Sequence, residues 1–422
     1  MMKLQKLILP VAYLSLFGIS YSVELELDEV ISRAKVESSE IKIQGMNTEI
    51  QKKGKNKALK NLILPPVNLS QEDDWDIVKE EGVGIRELEM GVPLFMGGKN
   101  LNSYRKAKNN LELAYKEEIF AENRAIEKAV GAYFDILNYQ KQSEIINNAV
   151  KAMDKQKGRL KGLYKGGKIV PKSELLKVEA DIERYRSLNL ENARLEKKRT
   201  GDLNRILNLP LNTKITGKDI LAGEYLGDRA DASKYADRDI DNTHLVQAEK
   251  LKLKNAEYDL KIAKADLYPT FYIKDTYTFR KWDNEKNELY KPKDRNEDEN
   301  KVELGFRYYF AWGGTLDSVN QKKYELKKAQ LMHDENIKEI QLDIENKINE
   351  IDSLYGQANA NQKKVDLLRE NMNIDSMRYE NQLITTYDYL NSVNAYREAQ
   401  EEYYAIQRKL VLAVIELENL YR

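Results

Sequence analysis

"FAWGGTLDS", residues 310–318, follows a run of alternating aromatics and sets a Trp and a Gly pair directly before a helix-start pattern. A near-copy, "LFMGGKNLN", stands at 94–102. The Gly pairs are Gly97-Gly98 and Gly313-Gly314, so the copies lie 216 residues apart (313 − 97), about half of the 422-residue chain. Glycine gives the backbone the freedom to swing from a strand into a helix. Its repetition at this spacing predicts two strand-to-helix joints in an internally duplicated chain.

The segments upstream of the joints alternate with period two. In "TFYIKDTYTFRKW" (270–282), Phe271, Ile273, Tyr277 and Phe279 share one face and Thr270, Tyr272, Lys274, Thr276, Thr278 and Arg280 the other. Asp275 alone interrupts the apolar side. "KVELGFRYYF" (301–310) sets Val302, Leu304, Phe306, Tyr308 and Phe310 against Glu303, Gly305, Arg307 and Tyr309. In the first copy Leu88, Met90, Val92 and Leu94 repeat the pattern, and Val67 and Leu69 predict a short partner strand after Pro65-Pro66. Alternation of this kind suits a hairpin on a soluble core or a membrane barrel whose apolar face meets lipid. Three features favour the barrel. The strands approach the ~10 residues that span a bilayer when tilted. Trp75, Trp282 and Trp312 lie in or beside the hairpins, where interfacial aromatics belong. The connecting stretches "QEDDWDIVKEE" (71–81) and "KWDNEKNELYKPKDRNEDEN" (281–300) are polar, as exposed loops are. Four strands cannot close a barrel, which starts at ~8, and open edges are not tolerated in lipid. A barrel of these strands has to be shared among chains.

Downstream of the joints apolar residues recur every three or four positions, as in Ile126, Val130, Tyr133 and Leu137, or Leu326, Ala329, Ile337, Ile340, Ile344 and Ile348. No Pro occurs from Asn100 to about Tyr164, which predicts a helix of roughly 95–100 Å at ~1.5 Å per residue. Helices of that length need partners side by side. Their reversals align: "YKGGKIVPKSELL" (164–176) matches "YENQLITTYDYL" (379–390), with Glu174 against Asp388 and Leu176 against Leu390. Gly166-Gly167 make the first turn and Pro171 restarts a helix; Asn381 is expected to take the left-handed conformation in the second.

The chain thus divides into residues 1–22, 23–212, 213–242 and 243–422. "MMKLQKLILPVAYLSLFGISYS" reads as a signal peptide, with Lys3 and Lys6 before an apolar run and Ser20-Tyr21-Ser22 as cleavage site. Repeat 1 (23–212) carries a hairpin at about 66–96 and a reversal near 165–173. A polar linker follows at 213–242. Repeat 2 (243–422) carries a hairpin at about 269–312 and a reversal near 380–387. Charge is balanced at 69 basic and 69 acidic residues, leaving no electrostatic footprint for nucleic acid. The absence of Cys removes disulfides and thiolate chemistry, and His244 and His333, far apart on polar helical stretches, read as surface histidines.

The two Gly-Gly joints, the two reversals ending in "SELL" and "YDYL" and the duplication resemble the TolC family of outer-membrane efflux factors over roughly Glu24 to Arg422. The resemblance implies a mainly α protein that forms, as a homotrimer, a 12-stranded β-barrel in outer-membrane lipid continuous with a 12-helix coiled-coil α-barrel in the periplasm. It implies a passive exit duct with no enzymatic activity and no cofactor, whose partners are a periplasmic adaptor and an inner-membrane pump docking at the helical tips. The tip positions here are Gly166, Gly167, Lys168, Ile169, Glu174, Tyr379, Asn381, Gln382, Leu383 and Ile384, and the constriction maps to Asp388 and Asn391. Asn391 stands where some members carry a second Asp, and Ile384 where some carry a latching Arg. Asp388 reads equally as a helix cap. Two other classes compete. An exported coiled-coil adaptor or adhesin usually has one helical hairpin, not two repeats. A phosphate-binding enzyme is suggested only by "GGKN" (97–100), which lacks the upstream Gly and the Ser/Thr after Lys99.

Overall fold

A computed structural model describes residues 22–76, 81–167, 171–218, 222–231, 233–236, 240–283 and 299–421. Apart from Ser22, the expected signal peptide lies outside the described residues. The elements run β1 (Ser22–Leu25), α1 (Leu27–Glu37), α2 (Ser39–Ile63), β2 (Val67–Asp76), β3 (Glu81–Phe95), α3 (Lys99–Lys165), α4 (Lys172–Ile206), β4 (Lys214–Gly217), α5 (Ala222–Leu226), α6 (Ser233–Ala236), α7 (His244–Ala265), β5 (Thr270–Asp283), β6 (Glu299–Arg307), α8 (Gly314–Glu380) and α9 (Thr386–Leu420).

The duplication is literal at the level of helices. α3 and α8 are each 67 residues long, and α4 and α9 are each 35. The expected helix from Asn100 to Tyr164 is therefore present almost to the residue. Its predicted apolar stripe is its core face, since Ile126, Val130, Tyr133 and Leu137 are all buried. No described helix is long and apolar enough to cross a membrane.

The residues cluster into two compact units, and each unit draws on both repeats. The first holds the N-terminal residues through Ser39, Arg124–Ala232 and Glu350–Glu416. Here β1 and β4 pair in parallel, and the Tyr133 hydroxyl, buried beneath them, donates to the Leu25 and Lys218 carbonyls at 3.1 and 2.8 Å. The second unit holds Glu40–Asn123, Ser233–Asn349 and Leu417–Arg422. It contains an antiparallel sheet of order β2-β3-β5-β6, so β3 and β5 join the hairpin of one repeat to that of the other.

The strands depart from the sequence reading in two places. β2 is ten residues, not a short pairing around Val67 and Leu69; residues 71–76, expected as loop, continue the ladder against 81–86. Backbone pairing with β3 outweighs the polar composition of that stretch. β6 ends at Arg307, so Tyr308 and Phe310 lie beyond the strand. The cores of the expected loops, 77–80 and 284–298, lie outside the described residues.

Candidate functional site

Two places carry the residues that the sequence singles out. The first is the sheet. Cross-strand partners alternate faces, and the register brings Leu69, Leu88 and Tyr277 into one row and Val92, Ile273 and Leu304 into another, with Phe271 opposite Phe306. Phe271 bridges the rings of Phe95 and Phe306 at centroid distances of 6.3 and 6.0 Å. The opposite face is polar: Lys274 pairs with Glu89 at 3.1 Å, Lys301 with Glu303 at 2.6 Å, and Arg307 lies over the Tyr272 ring. On the apolar face Asp275, opposite Met90 and Val302, is the one carboxylate in the central rows, as its sequence position predicts. β2 and β6 are the outer strands, each with one neighbour among the described residues.

The second place is the end of the first unit where α3 passes to α4 and α8 to α9. Ile146, Met153, Val178, Ile182, Tyr185 and Val393 pack there around a stacked pair, Tyr379 and Tyr389, with centroids 4.8 Å apart and planes 10° from parallel. The Tyr379 hydroxyl lies 3.2 Å from Thr386 Oγ1, and the Tyr185 hydroxyl donates to Asn394 Oδ1 at 2.8 Å. Burial pushes the phenols of Tyr185, Tyr379 and Tyr389 above their ordinary pKa, so all three stay neutral.

Asp388 is a cap here. Its Oδ2 accepts from the Thr385 backbone N–H at 3.1 Å and from Thr385 Oγ1 at 2.7 Å, while its own N–H donates to Thr385 Oγ1 at 3.2 Å. This is a reciprocal capping box with Thr385 at the N-cap of α9 and Asp388 at N3. Both Asp388 and Asn391, one turn on, are solvent-exposed. The hydrogen bonds from Thr385 hold the Asp388 carboxyl below its ordinary pKa. A depressed folded-state pKa stabilises above the unfolded Asp value and stops stabilising as pH falls through the folded one. Hydrogen-exchange protection of the first turn of α9 is therefore expected to be constant near neutrality and to fall below about pH 4, the ordinary Asp range. In Asp388→Ala that turn is expected to fray at every pH, with the acid-dependent step gone.

The α8–α9 reversal closes differently from its sequence reading. Asn381 is not left-handed; Gln382 is, at φ 61°. Leu383 N–H donates to the Arg378 carbonyl at 2.8 Å and Gln382 N–H to that of Tyr379 at 3.0 Å, a Schellman pair that fixes Gln382 at the C′ position. Asn381 instead turns its side-chain amide back to the Met377 carbonyl at 2.9 Å.

Comparison with known proteins finds similar sequences and folds. Residues 237–421 match the family model of outer membrane efflux proteins. The fold matches the Campylobacter jejuni CmeC outer membrane channel with TM-score 0.72 and 14% identity over 94% of this chain and 85% of that one. It matches Vibrio cholerae VceC with TM-score 0.70 and 14% identity over 94% and 96%. It matches the open state of the Neisseria gonorrhoeae MtrE outer membrane channel with TM-score 0.67 and 15% identity over 94% and 88%. A comparison with curated proteins finds no match. Residues 237–421 are thus similar to outer membrane efflux proteins, and nearly the whole chain shares the fold of these channels. CmeC and MtrE are outer membrane channels.

Within this fold the other singled-out residues sort by position. Gly166, Gly167, Asn381, Gln382, Leu383 and Tyr387 are exposed at the reversals, whereas Ile384 packs partly against the tyrosine core. Glu174 lies in the first turn of α4, paired with Lys177 at 2.9 Å. Tyr379 is 1% exposed, so it packs the reversal and offers no docking surface, contrary to its expected role. Lys168 and Ile169 lie outside the described residues. Trp75 and Trp282 stand on β2 and β5, with side chains outside the described ones.

The two joints are not equivalent. Gly97 and Gly98 are both left-handed, but in the second copy the left-handed pair is Trp312 and Gly313, with φ of 46° and 93°. Gly314 is already the first residue of α8, so Thr315 and Asp317 lie inside its first turn and do not occupy the cap position. Trp312 is 91% exposed and packs edge-on against Phe310 at 5.3 Å. Lys99, the residue of the "GGKN" stretch, is bound to Asp266 at 2.7 Å.

Sequence reading missed three contributors. Thr385 completes the capping box, and its T-x-x-D spacing to Asp388 was a usable signal. Tyr389 supplies the stacking partner. Asp135 takes Arg199 at 2.9 Å and Arg408 at 2.8 Å, tying α3 to α4 and α9, and no local pattern announces it.

Proposed function

We propose that three copies of this chain assemble into a passive exit duct, each contributing its four strands to one 12-stranded outer-membrane barrel and its helices to a 12-helix periplasmic tunnel. The observation that carries this reading is the two-faced sheet with an outer strand on either side. An apolar face suits lipid and a polar face a water-filled lumen. Strands β2 and β6 then find their second partners in neighbouring copies, which removes the edges that lipid does not tolerate, and closed rotational symmetry is the usual outcome of such self-pairing.

An inner-membrane pump and a periplasmic adaptor deliver substrate to the reversals, and opening rearranges the helices there. The exposed Leu383 and Tyr387 are apolar groups that an adaptor tip covers. Three Asp388 carboxylates, with Asn391 one turn further, line the constriction. Because each carboxylate also caps α9, widening the constriction and fraying the helix end are coupled.

Purified protein in a planar bilayer is expected to conduct ions, and Asp388→Ala to raise the closed-state leak. A chain that stays silent, or that leaves the membrane on carbonate extraction as an adaptor does, contradicts the reading. The faces are separable by substitution. Ile273→Lys, on the apolar face, is expected to cost about 2–4 kcal/mol near the bilayer midplane and to deplete the protein from the outer membrane. Thr276→Lys, on the polar face, is expected to insert normally and to change only ion selectivity.

A further inference from the structure

In the second unit an open cleft of about 510 Å³ lies between α3 and α7, within the size range of small-molecule sites. α3 lines it with Glu112, Tyr115 and Lys116, and α7 with Gln247, Lys250, Leu251 and Lys254. The α7 residues are spaced as one helical face. Lys116 is held in place, its Nζ donating to Gln247 Oε1 at 2.5 Å and lying 2.7 Å from His244 Nδ1. Burial, and then the Lys116 charge, push the His244 pKa down, so the ring is neutral and serves as an acceptor. Both partners of Lys116 are thus uncharged, and its ammonium is fixed without being neutralised. Lys250 is shared with Asp241 at 3.6 Å. Lys254 has no ion-pair partner among the described residues, and Glu112 is the one carboxylate among the seven lining residues. Tyr115 and Leu251 give the cleft an apolar wall.

We infer that this cleft binds an organic monoanion with an apolar body, a carboxylate or sulfonate on an aromatic or alicyclic frame. The anionic group is held by the pre-positioned Lys116, Lys254 further along the cleft adds positive charge, and the body lies against Tyr115 and Leu251. An apolar wall with a few placed polar groups is the usual make-up of a small-molecule site. The inference does not rest on the duct reading.

The test is calorimetric titration of the full chain in non-ionic detergent with naphthalene-1-sulfonate. Saturable binding of one probe per chain is expected. Lys254→Gln is expected to weaken it about tenfold, equivalent to ~1.4 kcal/mol, Lys254→Arg to retain it, and Lys252→Gln, one turn-position off the cleft, to leave it unchanged, all with unaltered melting temperature. Lys116→Gln provides a second variant on the opposite helix with the same expected loss. The inference is overturned by an absence of saturable binding or by Lys254→Gln and Lys116→Gln binding as tightly as the unaltered chain. Inorganic sulfate or uncharged naphthalene-1-methanol binding as tightly as the sulfonate overturns it equally.

Discussion

Tyr379→Ala is expected to destabilise the helical reversal by about 3–5 kcal/mol, the range for emptying a buried aromatic site. Tyr379 is among the largest fully buried side chains of the protein, and it stacks on Tyr389 while its hydroxyl meets Thr386. Removing the ring takes away the plug between the end of α8 and the start of α9. Tyr379→Phe keeps the stack and loses one hydrogen bond, for an expected cost of about 1 kcal/mol. Hydrogen exchange on the solubilised protein separates the two. Amides of 372–393 should lose protection in the alanine variant and keep nearly all of it in the phenylalanine variant. On the duct reading the alanine variant also leaks in a planar bilayer without any change in its carboxylates.

Gly97→Val should be comparably severe, by about 3–5 kcal/mol. A left-handed φ costs an ordinary residue roughly 1–2 kcal/mol and is a true outlier for a β-branched one. A side chain at Gly97, φ 59°, would also place its Cβ 2.8 Å from the Ala265 carbonyl oxygen and 2.9 Å from the Ala265 Cα. Those are backbone atoms at the end of α7, and they cannot rotate away, so overpacking adds about 1–3 kcal/mol. Gly314→Ala makes the opposite case. That residue is helical, and its added Cβ would meet only the Ala311 Cβ at 3.8 Å. A gain of up to about 1 kcal/mol is expected there. Thermal melting of the two variants side by side distinguishes a joint whose close approach demands glycine from one that merely contains it.

That asymmetry marks how far the sequence could be read. Local periodicities carried well: the helices appear at the lengths their apolar spacing demands, and the residues on the apolar faces of β5 and β6 share rows as their alternation requires. What failed was conformation decided by one residue. Gly313-Gly314 aligned with Gly97-Gly98, yet the left-handed pair slipped to Trp312-Gly313, because α8 begins at Gly314. Asn381 had the better intrinsic preference for the left-handed turn, but the two Schellman hydrogen bonds place that turn at Gln382. Composition misled at 71–76, where a polar run pairs as strand. Non-local contacts were invisible. Nothing near Asp135 announces Arg199 or Arg408, and the pairing of β3 with β5 joins segments from different repeats. At the reversal the sequence offered Asp388 two roles, and the structure shows the cap. Its cap geometry now stands beside the constriction proposed for it.

The central claim, that three copies of the same chain complete the four-stranded sheet, is tested most directly by electron microscopy of detergent-solubilised particles viewed end-on. Class averages with three-fold symmetry around a central opening are the expected result. Particles containing one chain, or two related by a two-fold axis, would contradict it.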